Sequence, residues 1–138
     1  MSVLKATSWG RTRGPKTLVG VQGGEVDVVT EASLDAVTDG YSTENQRYLH
    51  VMLVDKNVGS SLTVTLYGYN HAFGKWAPLH AIGTDTALTI EVADSNTAEG
   101  SQSADDRELR TFEIVGVDRV AFVGTTADVR CYAACSTF

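Results

Sequence analysis

Apolar and polar residues alternate over several short stretches of this chain, which is the pattern of β-strands. Residues 62–69 place aliphatic side chains on one face and threonines and tyrosines on the other. Residues 48–55 are almost entirely apolar, which is typical of a strand that is covered on both faces. Residues 76–82 predict a third strand after a short turn, so the centre of the chain is expected to form an antiparallel meander.

Further short strands are predicted on both sides of this meander. The stretches at 25–30, 87–92, 108–115, 119–123 and 128–135 are rich in valine, isoleucine and threonine and are separated by turn residues. No stretch has the length and period of a convincing helix. We therefore expect an all-β fold, an antiparallel β-sandwich of the jelly-roll or Greek-key type with about eight strands.

The first 24 residues differ from the rest in charge and glycine content. A chain of 138 residues is long enough for one domain, and its net charge is −6, yet residues 1–24 contain four basic residues and no acidic one. We expect residues 1–24 to be an extended basic arm that reaches onto a neighbouring copy and residues 25–138 to be the β-sandwich domain. A frayed terminus is the alternative, although a large aromatic residue in the segment favours a docked arm. The expected partner contacts are Trp9, Arg11, Arg13 and Lys16.

The two cysteines are expected to be buried free thiols. Cys131 and Cys135 lie four residues apart in one predicted strand, which separates their Cα atoms by about 13 Å, too far for a disulfide. The chain contains neither an apolar run of the ~20 residues that span a bilayer nor the apolar core of a signal peptide. These features predict a soluble protein made in a reducing cytoplasm.

The sequence contains no arrangement that identifies a reaction, a metal or a cofactor. His50, His71 and His80 share no local ligand motif, and no nucleophile-elbow, P-loop or dinucleotide-binding pattern occurs. We expect no catalytic residues, no metal and no cofactor; a small hydrolase has no motif in its support. Nucleic-acid binding is not expected either, because the body is acidic and only the arm carries excess positive charge.

Aromatic residues cluster in and after the strand at 62–69. Tyr67 and Tyr69 share one face of that strand, and Trp76 opens the next strand beyond a turn that contains Phe73. Three interpretations stay open for this aromatic face: a surface covered within the chain, a protein interface, or a site that stacks against a sugar.

From residue 48 onward the sequence resembles the β-sandwich structural proteins of tailed-bacteriophage virions, particularly head decoration (cement) proteins. The resemblance covers about two-thirds of the chain and is carried by residues 64–70, 74–79, 112–122 and 135–138. It implies a non-enzymatic protein on the outer surface of a capsid, synthesised in the host cytoplasm. Its partners would be the major capsid protein and other copies of itself, with a homotrimer as the expected assembly.

Two other functions remain open from the sequence. The same architecture serves head–tail connector, tail and fibre-associated virion proteins, and the basic arm would suit a connector subunit equally well. A carbohydrate-binding module that uses Tyr67, Tyr69 and Trp76 is the alternative from a different class.

Overall fold

Short strands joined by turns form the structure, which is a computed structural model. It describes residues 16–17, 24–30, 34, 40–55, 62–92, 99–124 and 129–137. Two single-turn 3₁₀ helices occur, at Glu99–Ser101 and Ala104–Asp106, and no α-helix is found within these ranges, so the expected all-β class is confirmed. The strands are β1 (Lys16–Thr17), β2 (Glu25–Val26), β3 (Val28–Val29), β4 (Tyr41–Ser42), β5 (Tyr48–Asp55), β6 (Leu62–Asn70), β7 (Lys75–Pro78), β8 (Thr89–Val92), β9 (Arg107–Glu113), β10 (Arg119–Val123) and β11 (Val129–Ser136).

The strands form two sheets. Sheet 1 has the order β9-β5-β11-β2 and is antiparallel throughout. Sheet 2 has the order β1-β4-β10-β6-β7, and in addition β3 pairs with β10 and β8 pairs with β6. The β1–β4 and β3–β10 pairs are parallel, so the purely antiparallel arrangement that we expected is wrong at these two-residue contacts.

The chain passes from one sheet to the other at Asp27. The single strand expected over residues 25–30 is in fact two strands, with Glu25–Val26 in sheet 1 and Val28–Val29 in sheet 2. Asp27 lies between the two strands and belongs to neither sheet. Its backbone N–H donates a 2.8 Å hydrogen bond to the Tyr41 hydroxyl. Alternation alone cannot reveal such a crossing, because the two short strands together have the length of one ordinary strand.

The apolar side chains that alternate along the long strands form one core, to which both sheets contribute. On β5 the inward side chains are fully buried, whereas Tyr48, His50 and Met52 on the opposite face are half-buried. The expected burial of both faces of this strand therefore holds only at its end, at Val54 and Asp55. The fully buried residues at the centre of the core are Leu49, Val51 and Leu53 from sheet 1 and Val64, Leu66, Val120 and Phe122 from sheet 2.

The strand expected over residues 76–82 ends at Pro78, because Leu79 turns towards the core. A Cβ atom placed on Gly68 would lie only 2.5 Å from a Leu79 methyl carbon, so the leucine occupies the space above the glycine. Residues 79–88 then form a small hairpin beside the sheet, in which the Leu88 backbone N–H donates a hydrogen bond to the Leu79 carbonyl at the base and Ile82 is exposed in the turn.

Both cysteines are buried free thiols, as the sequence predicts. Burial raises the pKa of the Cys131 and Cys135 thiols from 9.0 to about 12, and the carboxylate of Glu25 adds to the effect at Cys131.

The raised pKa values predict a loss of stability at alkaline pH. The unfolded chain releases these protons above pH 9.0, whereas the folded protein retains them until about 12. The contribution of the two protonated thiols to the free energy of unfolding is therefore complete below pH 9.0 and is lost as the pH rises towards 12. We expect the urea midpoint to fall between about pH 8 and about pH 10.5, and to fall less in a protein carrying both Cys131→Ala and Cys135→Ala. Equal declines in the two proteins would contradict this assignment.

Candidate functional site: an interlocked loop end

Three loops meet at one end of the molecule and are joined by hydrogen bonds. They comprise residues 43–47, residues 71–74 between β6 and β7, and residues 114–118. The Asn70 side chain donates a 2.6 Å bond to the Gly116 carbonyl. The His71 backbone N–H donates a bond of the same length to the Asp118 carboxylate. These contacts fix the β6–β7 hairpin against the loop that precedes β10.

Thr43 joins the remaining loop to the same group. Its side chain is fully buried, and its hydroxyl lies within bonding distance of the Val117 and Asp118 carbonyls. Its backbone N–H donates a 3.0 Å bond to the Asp118 carbonyl. The two residues after it, Glu44 and Asn45, adopt positive φ angles of 50° and 60°, which bring the chain round towards β5. A buried hydroxyl shared by two carbonyls makes this junction rigid.

Large apolar side chains project from these tied loops. Phe73 is 79% exposed in the β6–β7 hairpin, and Val115 is 58% exposed in the loop before β10. An apolar side chain on a flexible loop loses conformational entropy when it binds, whereas one on a hydrogen-bonded loop has already lost most of it. We call this surface, consisting of Phe73, Val115 and the loops that carry them, the loop end.

Directly behind the loop end, the structure brings together two of the three predicted aromatic residues. Tyr69 and Trp76 face each other across β6 and β7, with ring centroids 5.5 Å apart. His71 meets the Tyr69 ring edge-on at 5.6 Å. Tyr69 is buried and Trp76 half-buried, so their mutual cover favours the first interpretation of this face. Tyr67 is half-buried two pairs further along, opposite Pro78.

The Trp76 ring extends over sheet 2 as far as Gly40. A Cβ atom on Gly40 would lie 2.7 Å from the far edge of the indole ring and 2.5 Å from the Val120 carbonyl oxygen. The Arg119 guanidinium is buried beside this contact and donates a 2.6 Å bond to the Gly40 carbonyl. The aromatic residues therefore support the loops from behind, and among the phenylalanine, tyrosine and tryptophan residues that the structure describes, Phe73 is the exposed one.

The predicted arm contacts fall mostly outside the described residues. Trp9, Arg11 and Arg13 lie there, and Lys16 belongs to β1, whose backbone pairs with Tyr41–Ser42 of β4. Their role in partner binding stays a prediction. Sequence reasoning missed Val115 on the loop end and Thr43 on the loop that is tied to it. The sequence feature that could have indicated an exposed Val115 is its position next to Gly116 at the start of a predicted turn.

The titratable residues of the described ranges form no cluster of three or more that could hold a metal ion. His50 lies on the outer face of sheet 1 and bonds two hydroxyl groups, whereas His71 and His80 are exposed in or beside turns. Within the same ranges, no helix is long and apolar enough to cross a membrane. Comparisons of the chain with known protein families, curated proteins and solved structures found no significant match.

Proposed function

We propose that this chain is a non-enzymatic structural protein of a tailed-bacteriophage virion that binds the outer surface of the capsid through its loop end. The observation that carries the proposal is the exposure of Phe73 and Val115 on loops that are tied to each other and to the body. In this proposal the two sheets form a jelly-roll sandwich, and the protein stabilises the shell by bridging neighbouring capsomers. Its partners are the major capsid protein and further copies of this chain.

The loop end has the physical character of an adhesion site. A few large apolar side chains supply most of the free energy at protein interfaces, and phenylalanine has a large area to remove from water. Full burial of such a side chain contributes about 2–3 kcal/mol. The hydrogen bonds from Asn70 and His71 hold the hairpin before any partner arrives, so little of this free energy is spent on ordering the loop.

The basic arm adds a second contact in this proposal. Residues 1–24 carry four basic residues and no acidic one, in a chain of net charge −6. An arm of opposite sign to the body is suited to the acidic surface of a neighbouring copy. Removal of residues 1–15 leaves the Lys16–Thr17 strand in place and is expected to weaken shell binding without unfolding the domain.

Sedimentation with empty shells tests the proposal. The shells are assembled from the major capsid protein of the source genome and are mixed with wild-type protein or with Phe73→Ala. We expect saturable binding of the wild type and at least a tenfold increase in the dissociation constant for Phe73→Ala. Ile82→Ala is the matched control, because Ile82 is 60% exposed in a turn outside the loop end.

The outcomes separate the candidate functions. Absence of wild-type binding to the shells would contradict capsid decoration, and binding to isolated connector or tail complexes from the same phage would then favour the alternative virion role. Quenching of tryptophan fluorescence by a glycan, lost in Trp76→Ala, would favour the carbohydrate-binding module. Equal shell binding by wild type and Phe73→Ala would exclude the loop end as the contact surface.

A further inference from the structure

The outer face of sheet 1 has an apolar centre, and its side chains are different from those of the loop end, although β9 leads directly into residues 114–118. Its side chains alternate with those that face the core, so they form rows across the strands. We call this surface the sheet-1 face. Its central residues are Tyr48, His50 and Met52 of β5, Leu109 and Thr111 of β9, and Tyr132 of β11.

One row across the sheet-1 face is apolar on three of the four strands, and on the fourth strand Tyr132 pairs with Glu25. Leu109 pairs with Met52, and Met52 pairs with Tyr132, so the three side chains lie beside one another. Leu109 is 68% exposed, and the other two are half-buried. A row of adjacent large apolar side chains is a more specific signal of an interface than a single exposed leucine.

Hydrogen bonds hold the next row in place. The two ring nitrogens of His50 lie 2.9 Å from the Thr111 hydroxyl and 2.7 Å from the Ser136 hydroxyl. The histidine thus joins β9, β5 and β11 across the outside of the sheet. A partner would meet a surface whose side chains are already ordered.

The charges around the sheet-1 face differ from those of the chain as a whole. Arg47 forms a 2.7 Å ion pair with Glu113 at one end, and Arg130 forms a 3.2 Å pair with Glu25 at another. Arg107 lies in the same row as Arg130. The face therefore carries three arginines and two glutamates, whereas the complete chain has a net charge of −6.

We propose that the sheet-1 face binds the same face of a second copy of this chain. Two copies of an acidic protein repel each other over most of their surfaces, and they approach at least cost where the acidic residues are already neutralised. A face-to-face contact buries both apolar rows and keeps the remaining acidic surface at the outside. The contact is self-complementary, as a twofold interface requires.

The size of the sheet-1 face predicts a weak dimer. β9, β5 and β11 contribute seven or eight residues each, and β2 contributes two. At a spacing of about 4.8 Å between strands, they cover roughly 350–400 Å² on each copy. A total of roughly 700–800 Å² belongs to the range of weak, reversible complexes. The dimer should therefore dissociate on dilution.

This inference deepens the self-association that forms part of the proposed function, and it differs from the trimer that the resemblance implies. A twofold contact between identical faces closes after two copies, so the mass of the assembly distinguishes the two arrangements. Binding to shells through the loop end uses a different surface and is measured separately.

Light scattering of the full chain over a dilution series tests the inference. We expect the wild type to pass from dimer to monomer on dilution, and we expect Leu109→Asp and Leu109→Lys each to raise the dissociation constant at least tenfold. Either charge is unfavourable inside the apolar row, so the two variants separate loss of packing from a change in net charge. Ile82→Asp is the control, because it adds a negative charge to a similarly exposed aliphatic position outside the sheet-1 face.

Circular dichroism and urea unfolding verify that each variant is folded. A wild type that remains monomeric up to about 1 mM, a trimer, or a dimer that both Leu109 variants leave intact would overturn the inference. A Leu109→Asp monomer that still binds shells would support the sheet-1 contact and leave the proposed function intact. A wild-type protein that does not dimerise but still binds shells would overturn the sheet-1 contact and leave the proposed function intact.

Discussion

Gly40→Ala is expected to destabilise the protein by about 2–4 kcal/mol, one of the two largest effects of a single substitution that we anticipate. Gly40 has a φ angle of +71°, which an alanine adopts only at a cost in backbone strain. The added methyl group would also lie 2.5 Å from the Val120 carbonyl oxygen and 2.7 Å from the Trp76 ring. Because the nearer atom belongs to the backbone of a central strand, a side-chain rotation cannot relieve the contact.

Gly83→Ala separates the two contributions to this effect. Gly83 has a similar φ angle of +75°, but a Cβ atom there would meet no atom within 4 Å. It should therefore report the backbone strain alone, about 1 kcal/mol. Urea unfolding of the two variants measures the difference, and the tryptophan fluorescence of native Gly40→Ala reports any shift of Trp76. Equal midpoints for both variants would mean that the contact with Val120 and Trp76 costs nothing.

The parts of the fold that depend on local alternation could be predicted from the sequence. On β6, the expected inward face matches the buried positions of Val64 and Leu66, because a strand with one buried face imposes a period of two on its own residues. The free, buried cysteines followed from the same geometry. The bounds of β10, residues 119–123, also match the expected strand.

Contacts between distant residues could not be predicted in this way. Leu79 leaves the strand pattern because it fills the space above Gly68, eleven positions earlier in the chain. Thr43 lies 74 residues from the carbonyl of Val117 that it bonds, and nothing in its neighbouring residues indicates that it is buried. The crossing at Asp27 depends on the hydroxyl of Tyr41. Each feature results from packing between segments that the sequence order does not place together.

The sequence indicated which aromatic residues belong to the candidate site, but it did not indicate how they are arranged. Tyr69 and Trp76 are adjacent, as expected for strands joined by a short turn, but their rings cover each other and Gly40. The exposure of Phe73 arises because the hairpin carries it beyond the sheet, while hydrogen bonds to Gly116 and Asp118 hold the hairpin there. A sequence identifies the aromatic residues, and the loops decide which of them faces solvent.

Phe122→Ala and Phe73→Ala make the same chemical change at opposite extremes of burial. Phe122 is 0% exposed on β10, with its ring centroid 6.1 Å from that of Tyr41, whereas Phe73 is 79% exposed. We expect Phe122→Ala to cost about 3–5 kcal/mol, since it removes a buried ring and leaves a cavity between the sheets. Phe73→Ala should change stability by less than about 0.5 kcal/mol. Urea unfolding at constant pH measures both values.

Comparison of these two variants separates the residues that maintain the fold from those that bind a partner. Under conditions in which Phe122→Ala is still folded, we expect its loop end to be intact, because Phe122 pairs with Leu66 in the ladder and its side chain belongs to the core. It should therefore bind shells with nearly wild-type affinity despite its low stability. Phe73→Ala should show the reverse, with wild-type stability and weak binding. If both variants lost shell binding in proportion to their loss of stability, the binding would depend on the fold as a whole. The exposed side chain of Phe73 would then have no separate role in adhesion.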